Sequence, residues 1–372
     1  MPGHSGGDHA WSWIYLGAAS AAFAAYLAAL WLLRSTARTR LAVVCGLAAA
    51  IQLAQLAGPV LLSTDVYTYW DYGRIAAVHG GNPYADVPRD FPSDPAYPRM
   101  GASWRGTTSV YGPGFTLASE AHAEVVGESA AAAAWLYKGL AAAAMLALVV
   151  LAARLSTRPA FAAAFVGWNP LLAFHFAGGG HNDALMMALV LAALALAASG
   201  RRQWTGAAWA AAAAVKWVAL VFLPLRALEA RRAGREVRHL GFAGCAAGVA
   251  AAATWRYGAH WLDAFGPLAG NVRKQAQYSL PNRISGLGLS KDASAWLLAG
   301  LFALAYLWLL REAWRGRARL GLAAGLLLVA SPWLVPWYAV WAVPLAAVEE
   351  DRPARVLALA LSAYLLRDAV PL

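Results

Sequence analysis

An all-α protein that crosses a membrane several times is the fold class this sequence predicts, and three observations predict it. Sixty per cent of the 372 residues are hydrophobic and only 13% are charged, a balance that leaves a soluble protein of this size more apolar surface than it can hide from water. The apolar residues gather in runs about as long as a bilayer is thick. The basic residues stand in short clusters between those runs, where arginine marks the cytoplasmic ends of membrane helices. The formal charge of +11 is therefore assigned to membrane topology, and no nucleic-acid partner is expected. Cys45 and Cys245 both fall inside apolar runs, which argues against a disulfide framework or a thiolate zinc site.

About 20 apolar residues cross a bilayer, and by that measure spans are predicted at residues 11–33, 41–62, 130–153, 159–177, 183–199, 239–257, 293–311 and 356–371. The first lacks the basic leader of a secretory signal and is expected to stay as a membrane helix. Two regions do not fit. Residues 203–225 lie between Arg201-Arg202 and Arg231, Arg232, Arg235 and Arg238; residues 319–348 lie between Arg315, Arg317 and Arg319 and Arg352 and Arg355. With both flanks cytoplasmic, each region must enter the membrane and return, yet neither is long enough for two full helices. Paired short helices are predicted, reversing near Lys216-Trp217 and near Pro332 to Pro336, the second break helped by proline. Such broken elements are tolerated where they line a cavity or are buried in protein, so they point inward at a site. Alanine-rich tracts at 130–134 and 210–214 suit closely packed membrane helices. The sequence shows no internal repeat and is read as one domain, residues 1–372.

With Arg34, Arg38 and Arg40 inside, the N-terminus is outside. Residues 63–129 become the first large extracytoplasmic loop and 258–292 the second, with Gly178 to Asp183 on the same side. Arg273, Lys274, Arg283 and Lys291 in the second loop strain the positive-inside rule. Either the helix count is off by one or those cations serve an anion.

The first loop carries the densest chemistry. On helical spacing, Asp65, Tyr69 and Tyr72 share one face and Tyr67, Asp71 and Arg74 another, giving an interfacial amphipathic helix with Asp65 in its first turn, where the helix dipole favours a carboxylate. A positioned carboxylate is a general base. It is also a helix N-cap, and tyrosines at a membrane boundary are also an aromatic belt; both readings stay open from this stretch alone. His79-Gly80-Gly81-Asn82-Pro83-Tyr84 and the run from Trp104-Arg105 to Tyr111-Gly112-Pro113-Gly114 are tight turns in which aromatic rings beside polar groups offer faces for a sugar; an ordinary structured loop has the same composition. A second amphipathic stretch is expected at 115–128. Gly178-Gly179-Gly180-His181-Asn182-Asp183 places an imidazole, an amide and a second carboxylate at the outer end of two spans, with glycine letting a ligand approach the backbone; capping of the next helix by Asn182 or Asp183 is the alternative. Lys216, at the first reversal, needs a counter-charge, for which a lipid phosphate is one source and snorkelling to the interface the alternative. Ser331-Pro332-Trp333 with Pro336-Trp337-Tyr338 reads as a cavity wall or an aromatic belt. No His-x-x-x-His, Cys-x-x-Cys or i, i+4 carboxylate pair argues for a bound metal, and no cofactor is expected.

Several of these motifs together resemble the GT-C superfamily of polyprenyl-phosphate-sugar glycosyltransferases. Most similar are the actinobacterial polyprenol-phosphate-mannose-dependent α-1,6-mannosyltransferases and the related glycosyltransferase family 87. The matching pieces are Asp65-Val66-Tyr67-Thr68-Tyr69 with Tyr72-Gly73-Arg74, Gly81-Asn82-Pro83-Tyr84, Trp104-Arg105 with Tyr111-Gly112-Pro113, Gly180-His181-Asn182-Asp183-Ala184-Leu185, Lys216 with Leu223-Pro224, and Ser331-Pro332 with Pro336-Trp337-Tyr338. They run in the expected order over residues 63–348.

The resemblance implies a GT-C-like transmembrane helical bundle in the bacterial plasma membrane, whose extracytoplasmic loops carry interfacial helices and the active site. It implies inverting transfer of a hexose, mannose by the resemblance alone, from a polyprenyl-phosphate donor to a glycan or glycolipid acceptor. The acceptor-activating aspartate of the first loop falls on Asp65. Lys216, Arg74, Arg105, Arg283 and His181 are candidates for the donor phosphate. Tyr69, Asn82, Tyr84, Trp104, Tyr111, Asn182, Asp183, Trp337 and Tyr338 are candidates for sugar and acceptor contacts. Two departures stand out: fewer helices than many relatives, and a short loop beyond residue 258. A lipid-linked sugar transporter would also use broken helices, and a non-catalytic donor-binding subunit would keep the fold. Lipid scrambling without glycosidic bond formation marks the first, and donor binding without consumption the second.

Overall fold

A computed structural model describes residues 10–35, 40–235 and 240–368, and among the described residues every regular element is helical. The chain opens with α1 (Ala10–Ser35) and α2 (Leu41–Ala54). The polar segment that follows holds α3 (Asp65–Ala77) and α4 (Pro113–Val126), and then comes α5 (Ala130–Leu155). The middle of the chain forms α6 (Pro159–Gly167), α7 (Pro170–Phe176), α8 (Asp183–Ala198), α9 (Arg202–Val215), α10 (Phe222–Arg232) and α11 (Leu240–Tyr257). The last third forms α12 (Phe265–Lys274), α13 (Leu280–Ser285), α14 (Lys291–Trp314), α15 (Leu320–Ala330), α16 (Val343–Val348) and α17 (Arg352–Leu365).

Three described helices are long and apolar enough to cross a membrane by length and composition, Trp11–Arg34, Ala130–Leu155 and Lys291–Trp314. At 1.5 Å per residue each is about 36 to 39 Å long, more than the ~30 Å hydrocarbon core, and the chain is a helical membrane protein. The other expected spans are shorter or broken, for identifiable reasons. The run at 41–62 stays helical only to Ala54, followed by a 3₁₀ turn over Gln55–Ala57. There the buried Lys138 of α5 donates to the carbonyls of Leu56 (3.2 Å), Gly58 (2.6 Å) and Pro59 (3.3 Å), satisfying acceptors that the end of a helix leaves open. The run at 159–177 is two helices. Pro170 disfavours helix at the residue before it, and the Asn169 side chain accepts from the amides of Leu171 and Leu172 to start α7 afresh. The run at 356–371 is helical only to Leu365, and its last residues, 369–371, lie outside the described residues.

Both reversals are present. α9 stops at Val215, Lys216 is extended (φ −152°, ψ 127°), and a 3₁₀ stretch over Trp217–Val221 leads into α10. The start of α11 at Gly241 packs on the Gln203 backbone near the start of α9, and only residues 233–239 join α10 to α11, so α10 returns to the end from which α9 set out. In the second region, a non-helical segment over residues 331–335, bent at Pro332 and Trp333, and a 3₁₀ stretch over Pro336–Trp341 separate α15 from α16. Glu349, just past α16, accepts the amides of Leu320 (2.7 Å) and Gly321 (2.9 Å) at the start of α15. The two short helices therefore meet at their outer ends, and their broken tips face inward. The core beneath them is alanine-rich, with Ala133, Ala152, Ala162, Ala164, Ala193 and Ala324 fully buried, which lets helix backbones approach closely.

Candidate active site

Asp65 is the first residue of α3. Thr64 before it makes no side-chain cap bond, and the Asp65 amide is taken by the Ser63 hydroxyl at 3.2 Å. The carboxylate itself caps nothing, so capping does not account for it. What lies against it is His181, whose Nδ1 is 3.3 Å from Asp65 Oδ2. That approach depends on Gly180. Its φ is +69°, and a β-carbon there would sit 2.4 Å from Val66 Cγ1, so only glycine lets the 178–182 loop press onto α3. The His181 ring stacks on Trp337 (centroids 3.7 Å, 12°). Its Nδ1 is near Asp65 without hydrogen-bond alignment, and both ring nitrogens are buried with no hydrogen-bond partner.

Asn182 occupies the cap position of α8 but makes no side-chain cap bond, and both of its side-chain polar atoms are buried and unpartnered. Asp183 is fully buried. One of its oxygens accepts from Lys216 Nζ at 2.7 Å and from Trp341 Nε1 at 2.7 Å, while the other has no partner. The Asp183 carboxylate is thus a counter-charge to Lys216 within the protein itself. The ammonium also lies 4.7 Å from the centroid of the Tyr338 ring and 5.7 Å from that of Trp341, an aromatic setting suited to a cation. These contacts hold the lysine side chain, 17% exposed, at the cleft and not out at the interface.

Gly112 brings the first loop to the same place. Its amide donates to the Val215 carbonyl at 3.1 Å, and a β-carbon there would lie 2.2 Å from the Ala214 carbonyl oxygen. Tyr111 therefore abuts the break that exposes Lys216, edge-on to Tyr69 (5.0 Å, 89°). Burial pushes the Tyr69 and Tyr111 phenols well above their usual range, so both remain neutral.

These pieces enclose one cleft of ≈ 200 Å³. Of the residues singled out in the sequence, Asp65, Tyr69, Trp104, Tyr111, Lys216, Trp337 and Tyr338 line it; His181, Asn182 and Asp183 stand directly behind that wall through the contacts above. Trp217, Trp333 and Trp341 also line it and were not selected from the sequence. Trp341 had a signal, four residues after Trp337, and Trp333 stood in a noted motif. Lys274, one of the second-loop cations that either mark a miscounted helix or serve an anion, has its Nζ 5.2 Å from the Trp104 ring.

Five candidates are elsewhere. Arg74 is buried, its Nε bonded to both oxygens of Asp94 at 2.8 Å and one of its terminal nitrogens to the Gly127 carbonyl at 2.8 Å. Arg105 lies over the Tyr97 ring at 4.5 Å. Arg283 is exposed over Tyr278 at 4.9 Å. Asn82 donates to the Tyr257 carbonyl at 2.7 Å and accepts the Tyr84 amide at 3.1 Å, and the Tyr84 hydroxyl donates to Thr116 at 2.8 Å. None of the five lines the cleft; they fasten the first loop and the segment around Tyr278.

A helical membrane protein with a carboxylate, an imidazole and a lysine gathered at an aromatic cleft fits the class of membrane-bound group-transfer proteins that the motifs resemble. Residues 6–232 match the family described as alpha-(1→6)-mannopyranosyltransferase, N-terminal domain, and residues 289–371 match the MptB C-terminal domain. The chain belongs to this mannopyranosyltransferase family. It is 30% identical over 339 residues to alpha-(1→6)-mannopyranosyltransferase A of Mycobacterium tuberculosis, a match covering 78% of this chain and 63% of the relative. It is also 30% identical over 227 residues to the protein of the same name from Corynebacterium glutamicum, covering 54% and 46%. It is 29% identical over 369 residues to a probable alpha-(1→6)-mannopyranosyltransferase of Mycolicibacterium smegmatis, covering 78% and 62%. The chain thus spans between 46 and 63% of the length of these relatives. No solved structure matches.

Proposed function

We propose that this protein moves a hexose, mannose on the strength of its relatives' names, from a polyprenyl-phosphate donor to a hydroxyl of a glycan or glycolipid acceptor on the extracytoplasmic face, with inversion. The acceptor oxygen attacks the anomeric carbon as its proton passes to the Asp65 carboxylate. The bond from that carbon to the phosphate oxygen breaks on the opposite face, and the polyprenyl phosphate leaves with the electron pair. A phosphate is already a good leaving group, so the reaction asks for a base on one side and a cation on the other, one carboxylate where a hydrolase uses two.

The observation that carries this reading is that Asp65 and Lys216 line the same cleft between aromatic walls. Lys216 is the cation for the departing phosphate. Asp183, itself held by the Trp341 indole N–H, fixes one side of the Lys216 ammonium group, and the remaining ammonium N–H donors are free for the donor. Lys274, over Trp104 at the rim, adds a second positive charge. Trp104 and Tyr111 offer ring faces to the sugar, and Trp337 keeps the His181 imidazole beside Asp65. Arg74, Arg105 and Arg283 drop out of the phosphate site because their side chains are engaged or directed elsewhere.

The test is to incubate membranes containing the protein with radiolabelled polyprenyl-phosphate mannose. Label should leave the lipid for a product that identifies the acceptor. Label that stays on the lipid with every acceptor offered, while the folded protein retains the donor, would instead make this a binding subunit.

A further inference from the structure

At the end of the bundle remote from the cleft, an open groove of ≈ 660 Å³ runs between the last turns of α5 and α8, walled by Leu151, Leu155, Ala192 and Ala195 and closed by Arg154 and Arg201. Arg154 is sixteen residues along α5 from Lys138, which places the groove about 24 Å from the cleft side of the bundle, beside the opposite surface of the membrane. The alanines leave the hollow and the leucines make its walls apolar, so the groove suits a hydrocarbon chain. The arginines make its mouth suit an anion.

Arg319 is held by Asp351, and Arg315 and Arg317 lie near Glu312, whereas no carboxylate among the described residues pairs with Arg154 or Arg201. Both are exposed at the rim of an apolar hollow. Two cations above an apolar slot complement a molecule with an anionic head and a hydrocarbon tail. Arg158, Arg202, Arg231 and Arg232 stand on the same end of the chain's turns, which the positive-inside rule makes cytoplasmic, and the cytoplasmic leaflet is where anionic lipids concentrate. We infer that the α5–α8 groove binds an anionic phospholipid, its phosphate between Arg154 and Arg201 and one acyl chain along Ala192 and Ala195. The site is separate from the cleft, and it stands whether or not the cleft carries out transfer.

The experiment is native mass spectrometry of the purified full chain from detergent supplemented with dioleoylphosphatidylglycerol or, as control, dioleoylphosphatidylcholine, with inorganic phosphate as a third arm. Wild type should retain phosphatidylglycerol in preference to phosphatidylcholine. Two juxtamembrane arginines together are worth roughly 25-fold in affinity for an anionic lipid, so Arg154→Gln with Arg201→Gln should lower retention by about that factor. Ala195→Phe keeps both charges and fills the slot, and it should also displace the lipid; if the double variant does not fold, this one carries the test. Equal retention of the two lipids by wild type, unchanged phosphatidylglycerol retention in a folded variant, or competition by inorganic phosphate as effective as by lipid would overturn the proposal.

Discussion

Removing the Lys216 ammonium leaves Asp183 in an exposed energetic position although it is sterically buried. Asp183 is 0% exposed and one of its oxygens already lacks a partner; without Lys216 the other keeps only the Trp341 indole. Breaking a buried pair from one side costs about 3 to 5 kcal/mol. Lys216 lies at a cleft and is 17% exposed, so the lower end applies, about 3 kcal/mol. At about 2 °C for each kcal/mol in a large chain, Lys216→Met should lower the apparent unfolding temperature of the purified protein by roughly 6 °C. Lys216→Met combined with Asp183→Asn removes both charges and should recover at least half of that loss, a coupling of about 1 to 3 kcal/mol between the two sites. Both variants should be inactive in transfer, which separates the stability effect from the chemical one. The assay is thermal unfolding of detergent-purified single and double variants, followed by intrinsic tryptophan fluorescence. If the double variant is destabilised by the sum of the two singles, the two side chains do not pair, and the reasoning about Lys216 fails.

Gly180→Ala should cost about 1 to 2 kcal/mol in backbone strain alone and more from the clash with Val66, and it should lower transfer further than stability because His181 shifts from Asp65; the ratio of turnover to folded protein reads this. Arg74→Met should lower stability, because Asp94 is left with only His79 and the Ala96 amide as partners, but leave turnover per folded molecule near wild type, since Arg74 serves the loop and not the cleft. Burial, and next the Asp94 charge, push the Asp71 carboxyl from the ordinary 3.8 up to about 7. The folded protein then keeps a proton that the unfolded chain releases, so this residue's contribution to stability falls as pH rises from about 4 to about 7 and is constant above. Asp71→Asn should flatten that limb of the unfolding-temperature profile; an unchanged profile would contradict the assignment.

The helical class was legible because composition and apolar run length report it directly. The reversals at Lys216 and at Pro332–Pro336 were legible from charge flanking and proline. The break at Asn169-Pro170 was equally written in the chain, but a count of apolar residues passes over it. Helix lengths were overestimated where a distant side chain intervened, as Lys138 does at Gly58. Cleft membership followed proximity in sequence for Asp65 and Tyr69, and for the 180–183 run that backs them. The pairing of Asp183 with Lys216, 33 residues apart, was invisible because only packing of α8 against the α9 break brings them together. Arg74 had the residue type for a phosphate site, yet its partner Asp94 lay in a loop segment with no pattern to single it out. Asn82 and Tyr84 were read as sugar contacts from composition, whereas backbone and hydroxyl groups of the protein occupy them.

The most direct test of Asp65 as the base is the rate of mannosyl transfer by Asp65→Asn protein that elutes and unfolds like wild type. Removal of a positioned acid-base group lowers rate by about 100 to 10,000 fold, and a loss in that range with the donor still bound is the expected result. Near-full transfer by the folded Asp65→Asn protein would contradict it.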